Sequence, residues 1–326
     1  MSKKIFITGG AGYVGSVLTP YLLEKGHQVT VLDLMMYGET LKQHPNLKII
    51  RGDIRNQKLL DKSIPGNEII IHLACISNDP SFELNPILGR EINLDAFTPL
   101  VEISKKNKID RFIYASSSSV YGIKDEKNVT EDISLQPLTD YSRFKADCEK
   151  ILLKYKSKNF SVTILRPATV CGYSPRQRLD LVVNILTNLA YHKKEITVFG
   201  GKQLRPNIHI KDMVRAYELF INVDKKLING EIFNIGFENL TVSQLAYEVQ
   251  KVIGLQVKIK ELKNDDNRSY HISSKKIQNE LEFINNFTIL NAIEDLKDAF
   301  DKKLLIDCLT NENYFNIKKM QSINLI

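Results

Sequence analysis

The stretch IFITGGAGYVG, Ile5 to Gly15, places four glycines in seven residues directly behind one apolar run and directly ahead of another. Glycine allows a sharp turn and lets a backbone approach another group with no Cβ in the way. Gly10, Gly12 and Gly15 satisfy G-x-G-x-x-G, and Gly9, Gly12 and Gly15 satisfy the related G-x-x-G-x-x-G. Either spacing alone is a weak signal. Behind a strand and at the opening of a helix it gains meaning, because the helix amino terminus offers unpaired N–H groups and a partial positive charge to a phosphate.

The rest of the first half supplies that context. KKIFITG, HQVTVLDL, LKIIRGD, NEIIIHLA, DRFIYASS and FSVTILRP are rich in Ile, Val and Phe and bounded by turn residues. Their near-continuous hydrophobicity predicts strands buried on both faces, hence a parallel sheet. Between them helical patterns run over about 12–25, 57–63, 86–107 and 140–157. Strand and helix in alternation predict an α/β fold, a Rossmann-type doubly wound parallel sheet. Pro20 and Pro99 fall inside two of these helices, where each removes a backbone hydrogen bond, so kinks are expected there.

After LRPATV the texture changes. Helices are predicted over about 179–191, 211–223, 242–252, 275–281 and 289–301, with short strands at ITVF, EIFNIG and QVKIKEL. The expected division is a dinucleotide-binding domain over 1–172, also receiving about 205–236, and a smaller mixed α/β substrate-binding domain over 173–326, interlocked with the first. The tail from Thr310 has no clear period beyond a chance for Tyr314 and Phe315 to pack.

Composition excludes several classes. Cys75, Cys148, Cys171 and Cys308 are scattered with no C-x-x-C pair, which argues against a disulfide framework and against zinc; no metal site is expected. The net charge of +7 is spread along the chain without an aromatic-spaced basic motif, so it predicts a lysine-rich surface or a basic pocket for a small anion in place of nucleic acid. No apolar run is long enough for a membrane span, and MSKKIFITGG leads straight into a strand, so a cytoplasmic protein is expected.

Asp33, in VTVLDL, closes the second strand about 20 residues beyond the glycines. A carboxylate there accepts both adenosine ribose hydroxyls and repels a 2′-phosphate, and no basic residue follows it closely, so NAD is favoured over NADP. Here the chain resembles a known family, the extended short-chain dehydrogenase/reductases that act on nucleotide sugars, the NAD-dependent epimerase/dehydratase group. TGGAGYVG, GDI at 52–54, HLAC at 72–75, Ile92-Asn93, SSSSVYG at 116–122, YSRFK at 141–145 and LRPATVCG at 165–172 all fall in family order. The likeness covers about residues 3–300. It implies NAD held by Gly9, Gly12, Tyr13, Val14, Gly15, Asp33, Asp53, Ile54, Leu73, Ala74, Asn93, Tyr141, Lys145 and Pro167, with Asp53 at the adenine edge and Asn93 on the nicotinamide side. It also implies a homodimer joined through the helices near 86–107 and 140–157.

Tyr141 and Lys145 are one helical turn apart and project from one face. A neighbouring ammonium favours a phenolate, which makes a tyrosine usable as a general base. In the family the preceding strand carries a hydroxyl for the sugar O4; counting back from VYG, the matching position is Ser117 in preference to Ser116. Family dehydratases carry an Asp-Glu pair at the next two positions, and decarboxylating members a glutamate at the second. This chain has Ser118 and Ser119. The resemblance then leaves oxidation at C4 of a nucleoside-diphosphate sugar: a 4-epimerase, or alternatively a 4-dehydrogenase or 4-ketoreductase. A non-catalytic dinucleotide-sensing regulator is a further alternative that the retained Tyr141 and Lys145 oppose.

For the substrate, GGKQLRPNIHIKDMVRA resembles the family segment that sets an arginine on the diphosphate, here Arg205, and DDNRSYHISSKKIQNEL a later one with Arg268. Arginine's planar fork suits phosphate. SPRQRLDLVVN, 174–184, lies where family members cover the nucleotide and looks like the loop of guanosine-diphosphate heptose oxidases, which implies substrate contacts by Arg178 and Asn184 beside those of Ser117 and Ser118.

Overall fold

A computed structural model of the chain describes residues 2–77, 79–263, 269 and 271–323, with the backbone alone at Asp79. The principal sheet is built from β1 (Lys4–Thr8), β2 (Gln28–Asp33), β3 (Leu47–Arg51), β4 (Ile69–His72), β5 (Arg111–Ala115) and β6 (Ser161–Pro167). A seventh strand, β10 (Glu231–Ile235), joins after the chain has passed through β7 (Thr169–Cys171), β8 (Glu195–Phe199) and β9 (Leu204–His209). The order β10-β6-β5-β4-β1-β2-β3 is parallel throughout. The order reverses between β1 and β4, the switch point beyond which ligands of such sheets bind.

The continuous apolar runs are explained by the two faces of this sheet. Ile5, Ile7, Ile69, Ile71 and Ile113 enter one core, and Phe6, Ile70, Phe112 and Tyr114, one residue out of phase, enter the other. The smaller part has its own core, where Val183, Leu186 and Ala190 meet Leu245, Val249 and Ile293. It carries a three-stranded sheet in the order β11 (Glu238–Thr241), β9, β7, and a pair, β12 (Lys258–Leu262) with β8. Among the described residues, no helix is long and apolar enough to cross a membrane.

The first helix runs over Gly15–Glu24 and passes through Pro20. The expected helix over 86–107 is broken into Pro86–Arg90, a π-helical turn at Glu91–Asp95, and Phe97–Lys106. The break has two local causes. Pro99 is the third residue of the last piece, where a missing N–H costs little. Asn93, inside the π turn, spends its side chain on the backbone of Ile76: Oδ1 accepts from Ile76 N at 2.8 Å and Nδ2 donates to Ile76 O at 2.9 Å. The tail, unassigned from sequence, forms a short 3₁₀ turn at Glu312–Tyr314 and a helix at Asn316–Ser322. Tyr314 and Phe315 pack against a cluster of Leu179, Leu296, Ala299 and Phe300.

Candidate active site

The glycine turn lies at the carboxyl end of β1. Gly9 has φ +73°, and a Cβ there would meet Ala74 N at 2.6 Å, while a Cβ on Gly15 would meet Gly9 O at 2.5 Å. These two positions therefore require glycine for packing as well as for turning. Among the described residues no acceptor meets the backbone N–H groups of Tyr13, Val14 or Gly15. Asp33 ends β2 beside them: Oδ2 accepts from Ala11 N at 3.0 Å and Oδ1 from Met35 N at 2.8 Å. Burial raises the pKa of this carboxyl, and the two amides and the Arg176 charge oppose that rise. Free N–H donors for a pyrophosphate and a carboxylate for a ribose diol, both on one wall, fit a dinucleotide such as NAD.

One cavity is lined by Gly9, Gly12, Tyr13, Val14, Gly15, Asp33, Asp53, Ile54, Leu73, Ala74 and Pro167 from the cofactor set, together with Ser117, Ser118, Tyr141, Lys145 and Arg178. Asn93 is not in its wall; it shapes the cavity through the loop it holds at Ile76. The Asp53 carboxylate takes two hydrogen bonds from the Arg55 guanidinium, at 3.0 and 2.7 Å, and one from its backbone N–H at 2.8 Å, and the guanidinium also reaches Glu91 at 2.7 Å.

At the other end, the helix Asp140–Lys154 opens with a capping box between Thr139 and Ser142. That cap fixes Tyr141 in the first turn and Lys145 one turn on. Lys145 is 4% exposed, donates to Ala115 O at 2.7 Å and stands 5.9 Å from the Tyr141 ring centroid. The four serines follow β5. The Ser116 hydroxyl is taken by the Glu149 carboxylate, which is itself paired with Arg166 at 2.7 Å. Ser117 caps the 3₁₀ turn Ser118–Tyr121, its Oγ accepting from Ser119 N at 3.2 Å and lying 2.9 Å from Ser119 Oγ.

Of the other expected substrate residues, two lie away from the cavity wall and one lies outside the described residues. Asn184 is fully buried and outside the cavity wall: Oδ1 accepts from Gly172 N at 3.0 Å, and Nδ2 donates to Tyr13 Oη at 3.0 Å and to Arg178 O at 2.8 Å. With both polar atoms bonded to the protein, it braces the glycine turn. Arg205 does not line the cavity either; it sits on β9 in the smaller part and donates to Leu204 O at 2.9 Å. Arg268 lies outside the described residues. Arg178 does line the cavity, where burial pulls its pKa down but the Asp180 pair, at 2.9 and 3.2 Å, more than reverses this.

The wall also contains residues that the sequence did not single out. Tyr37, Ser77, Arg176, Met213, Tyr217, Asn316 and Met320 all line it. Arg176 stood in plain view in SPRQRLD, two residues from Arg178. For Asn316, in a stretch with no period, no sequence signal existed.

The model of the NAD dependent epimerase/dehydratase family matches residues 5–236. The UDP-glucose 4-epimerase of Lactobacillus helveticus is 27% identical over 276 residues, 78% of this chain and 83% of that protein. The dTDP-D-glucose 4,6-dehydratase of Dictyostelium discoideum is 32% identical over 280 residues, 78% of this chain and 62% of that protein. Among solved structures, the UDP-glucose 4-epimerase of Thermotoga maritima with UDP-glucose shares the fold at a TM-score of 0.84 and 24% identity, covering 93% of this chain and all of that one.

Proposed function

Since the chain belongs to the NAD-dependent epimerase/dehydratase family of extended short-chain dehydrogenase/reductases, we propose that it is a nucleotide-sugar 4-epimerase. Relatives carry both the epimerase and the dehydratase names, so the choice between them rests on the site. The observation that carries it is the cavity wall beside Tyr141, which offers the hydroxyls of Ser117, Ser118 and Ser119. Among the described residues the only carboxylates in that wall are Asp33 and Asp53, both at the β2–β3 end. Removing water across C5 and C6 needs an acid and a base at the sugar, and serine hydroxyls are too weakly acidic and basic for either task.

NAD, when bound, supplies an acceptor for the C4 hydride and returns it. The chain's own work is with protons. Tyr141 takes the O4 proton through its phenol oxygen, and Lys145 sets a fixed positive charge close by as negative charge develops on that oxygen. Ser117 orients O4. For inversion the C4 carbonyl must turn over within the cavity and recover its proton from Tyr141, so one residue serves as base and then as acid.

The test is incubation with UDP-glucose and with dTDP-glucose, followed by product chromatography and by absorbance of reduced nicotinamide. The expected result is a C4 epimer with no net reduced cofactor. A 4-keto-6-deoxy product, or reduced cofactor accumulating with turnover, overturns the reading. Tyr141→Phe should bind NAD as the wild type does and lose turnover by about 10²- to 10⁴-fold; full activity in that variant also overturns it.

A further inference from the structure

Arg176 is a cation that the mechanism above does not use. It is 4% exposed and lines the same cavity as the glycine turn. Among the described residues no carboxylate hydrogen-bonds it. The acids near it are Asp33 and Asp180; the first is spent on the Ala11 and Met35 amides and the second on Arg178 and the Asn316 amide. Its Nη2 donates to Asn316 Oδ1 at 2.6 Å, its Nη1 makes a long 3.4 Å contact with Gln177 O, and its Nε has no partner. Burial accordingly draws its pKa down to about 10. A buried guanidinium in this state lacks an anion.

Its position says which one. The backbone N–H of Arg176 donates to Ser16 Oγ at 3.2 Å, on the first turn of the helix behind the glycines. The adjoining Ser174 donates to Tyr13 O at 2.7 Å. The loop thus rests on the turn whose N–H groups at Tyr13, Val14 and Gly15 meet no acceptor among the described residues. The guanidinium lies over the Tyr37 ring, 3.5 Å from its centroid, just past Asp33. Asn316 closes the arrangement from the tail: its Nδ2 donates to Ser77 Oγ at 2.9 Å on the loop after β4, and its backbone N to Asp180 Oδ2 at 3.0 Å. One residue of the tail therefore ties together two walls of the cleft.

We propose that Arg176 is the charge partner of the NAD diphosphate, held over it by the Tyr37 ring and positioned by Asn316, so that the C-terminal tail is a strap retaining the cofactor. This rests on NAD as the cofactor and not on which reaction the sugar undergoes. A diphosphate is also present in a sugar nucleotide. The contacts with Ser16 and Tyr37, at the adenosine end of the cleft, favour the dinucleotide.

The experiment is calorimetric titration of nucleotide-free protein with NAD, ADP-ribose and adenosine, and of NAD-loaded protein with UDP. Arg176→Gln should weaken NAD and ADP-ribose by about 10- to 100-fold, the range for charge-assisted hydrogen bonds to phosphate. Adenosine, which has no diphosphate, and UDP should change less than about twofold. Asn316→Ala, which releases Arg176 and the Ser77 contact together, should weaken the first two ligands by about three- to tenfold and speed NAD release, with adenosine again unaffected. It carries the same test should Arg176→Gln fail to fold. Unchanged ADP-ribose binding, or an equal loss for adenosine, overturns the proposal, and so does a loss confined to UDP, which would give Arg176 to the sugar nucleotide.

Discussion

Glu149→Gln should destabilise the protein far more than its conservative shape suggests. Glu149 is 2% exposed and Arg166 3% exposed, beneath the serine turn. The carboxylate accepts from Arg166 Nε at 3.0 Å and Nη2 at 2.7 Å, and from Ser116. Arg166 also donates to Tyr121 Oη at 2.8 Å. Burial alone would pull the Arg166 pKa down, and the Glu149 pair holds it well above the ordinary value. Glutamine keeps the volume but leaves a buried guanidinium with no ionised partner, a loss of about 3–5 kcal/mol. With an unfolding entropy near 2.1 cal/mol/K per residue, 326 residues give about 0.7 kcal/mol/K, so Tm should fall by about 4–7 °C. Scanning calorimetry measures this directly. The double variant Glu149→Leu/Arg166→Met should lose less than the two single changes summed, because it removes both charges together. A Glu149→Gln melt within about 1 °C of wild type would refute the reasoning, since the arginine would then not need its carboxylate.

Asp33→Asn should weaken NAD by about tenfold or more and reduce discrimination against NADP, because an amide accepts from the ribose diol less well and no longer repels a 2′-phosphate; paired NAD and NADP titrations check this, and an unchanged affinity ratio refutes it. His72 gives a pH prediction. Its ring is buried against Phe97 and Tyr114 with Nδ1 2.6 Å from Thr8 Oγ1, and burial, helped by the Lys145 charge, lowers its pKa to about 3. Unfolded histidine titrates near 6.5, so below that pH the unfolded chain binds the extra proton: the contribution is whole above about pH 6.5 and is lost as pH falls toward 3. At pH 5 the loss is about 2 kcal/mol, from 1.36 kcal/mol per unit. Denaturant midpoints at pH 7 and pH 5 should show it in wild type and not in His72→Gln, and an equal slope in both would refute the assignment.

What could be read from the sequence, and what could not, follows from how far apart the determining contacts lie. β1, β2 and β4 to β6 were legible because burial within the sheet leaves a near-continuous apolar run, and β3, half-exposed at the sheet edge, because its short Leu-Ile-Ile run is bounded by turn residues. Tyr141 with Lys145 were legible because four residues on a helix return to one face. β7, β9 and β11 were not, since TVC, LRPNIH and ENLT are short or carry proline and polar residues, and their strand form depends on pairing with one another. Asn184 shows the same limit at a single side chain. Whether an asparagine meets ligand or protein is decided by who consumes its amide, and here the consumers include Tyr13, 171 residues away. The proposed reacting centre is thus written in one helix and one turn, whereas Tyr37, Ser77, Arg176 and Asn316 reach the cleft from four separated segments. A motif can announce chemistry because chemistry needs few groups at fixed spacing. Holding the molecule on which that chemistry acts takes walls from several parts of the chain, so its determinants become visible only once those segments have met.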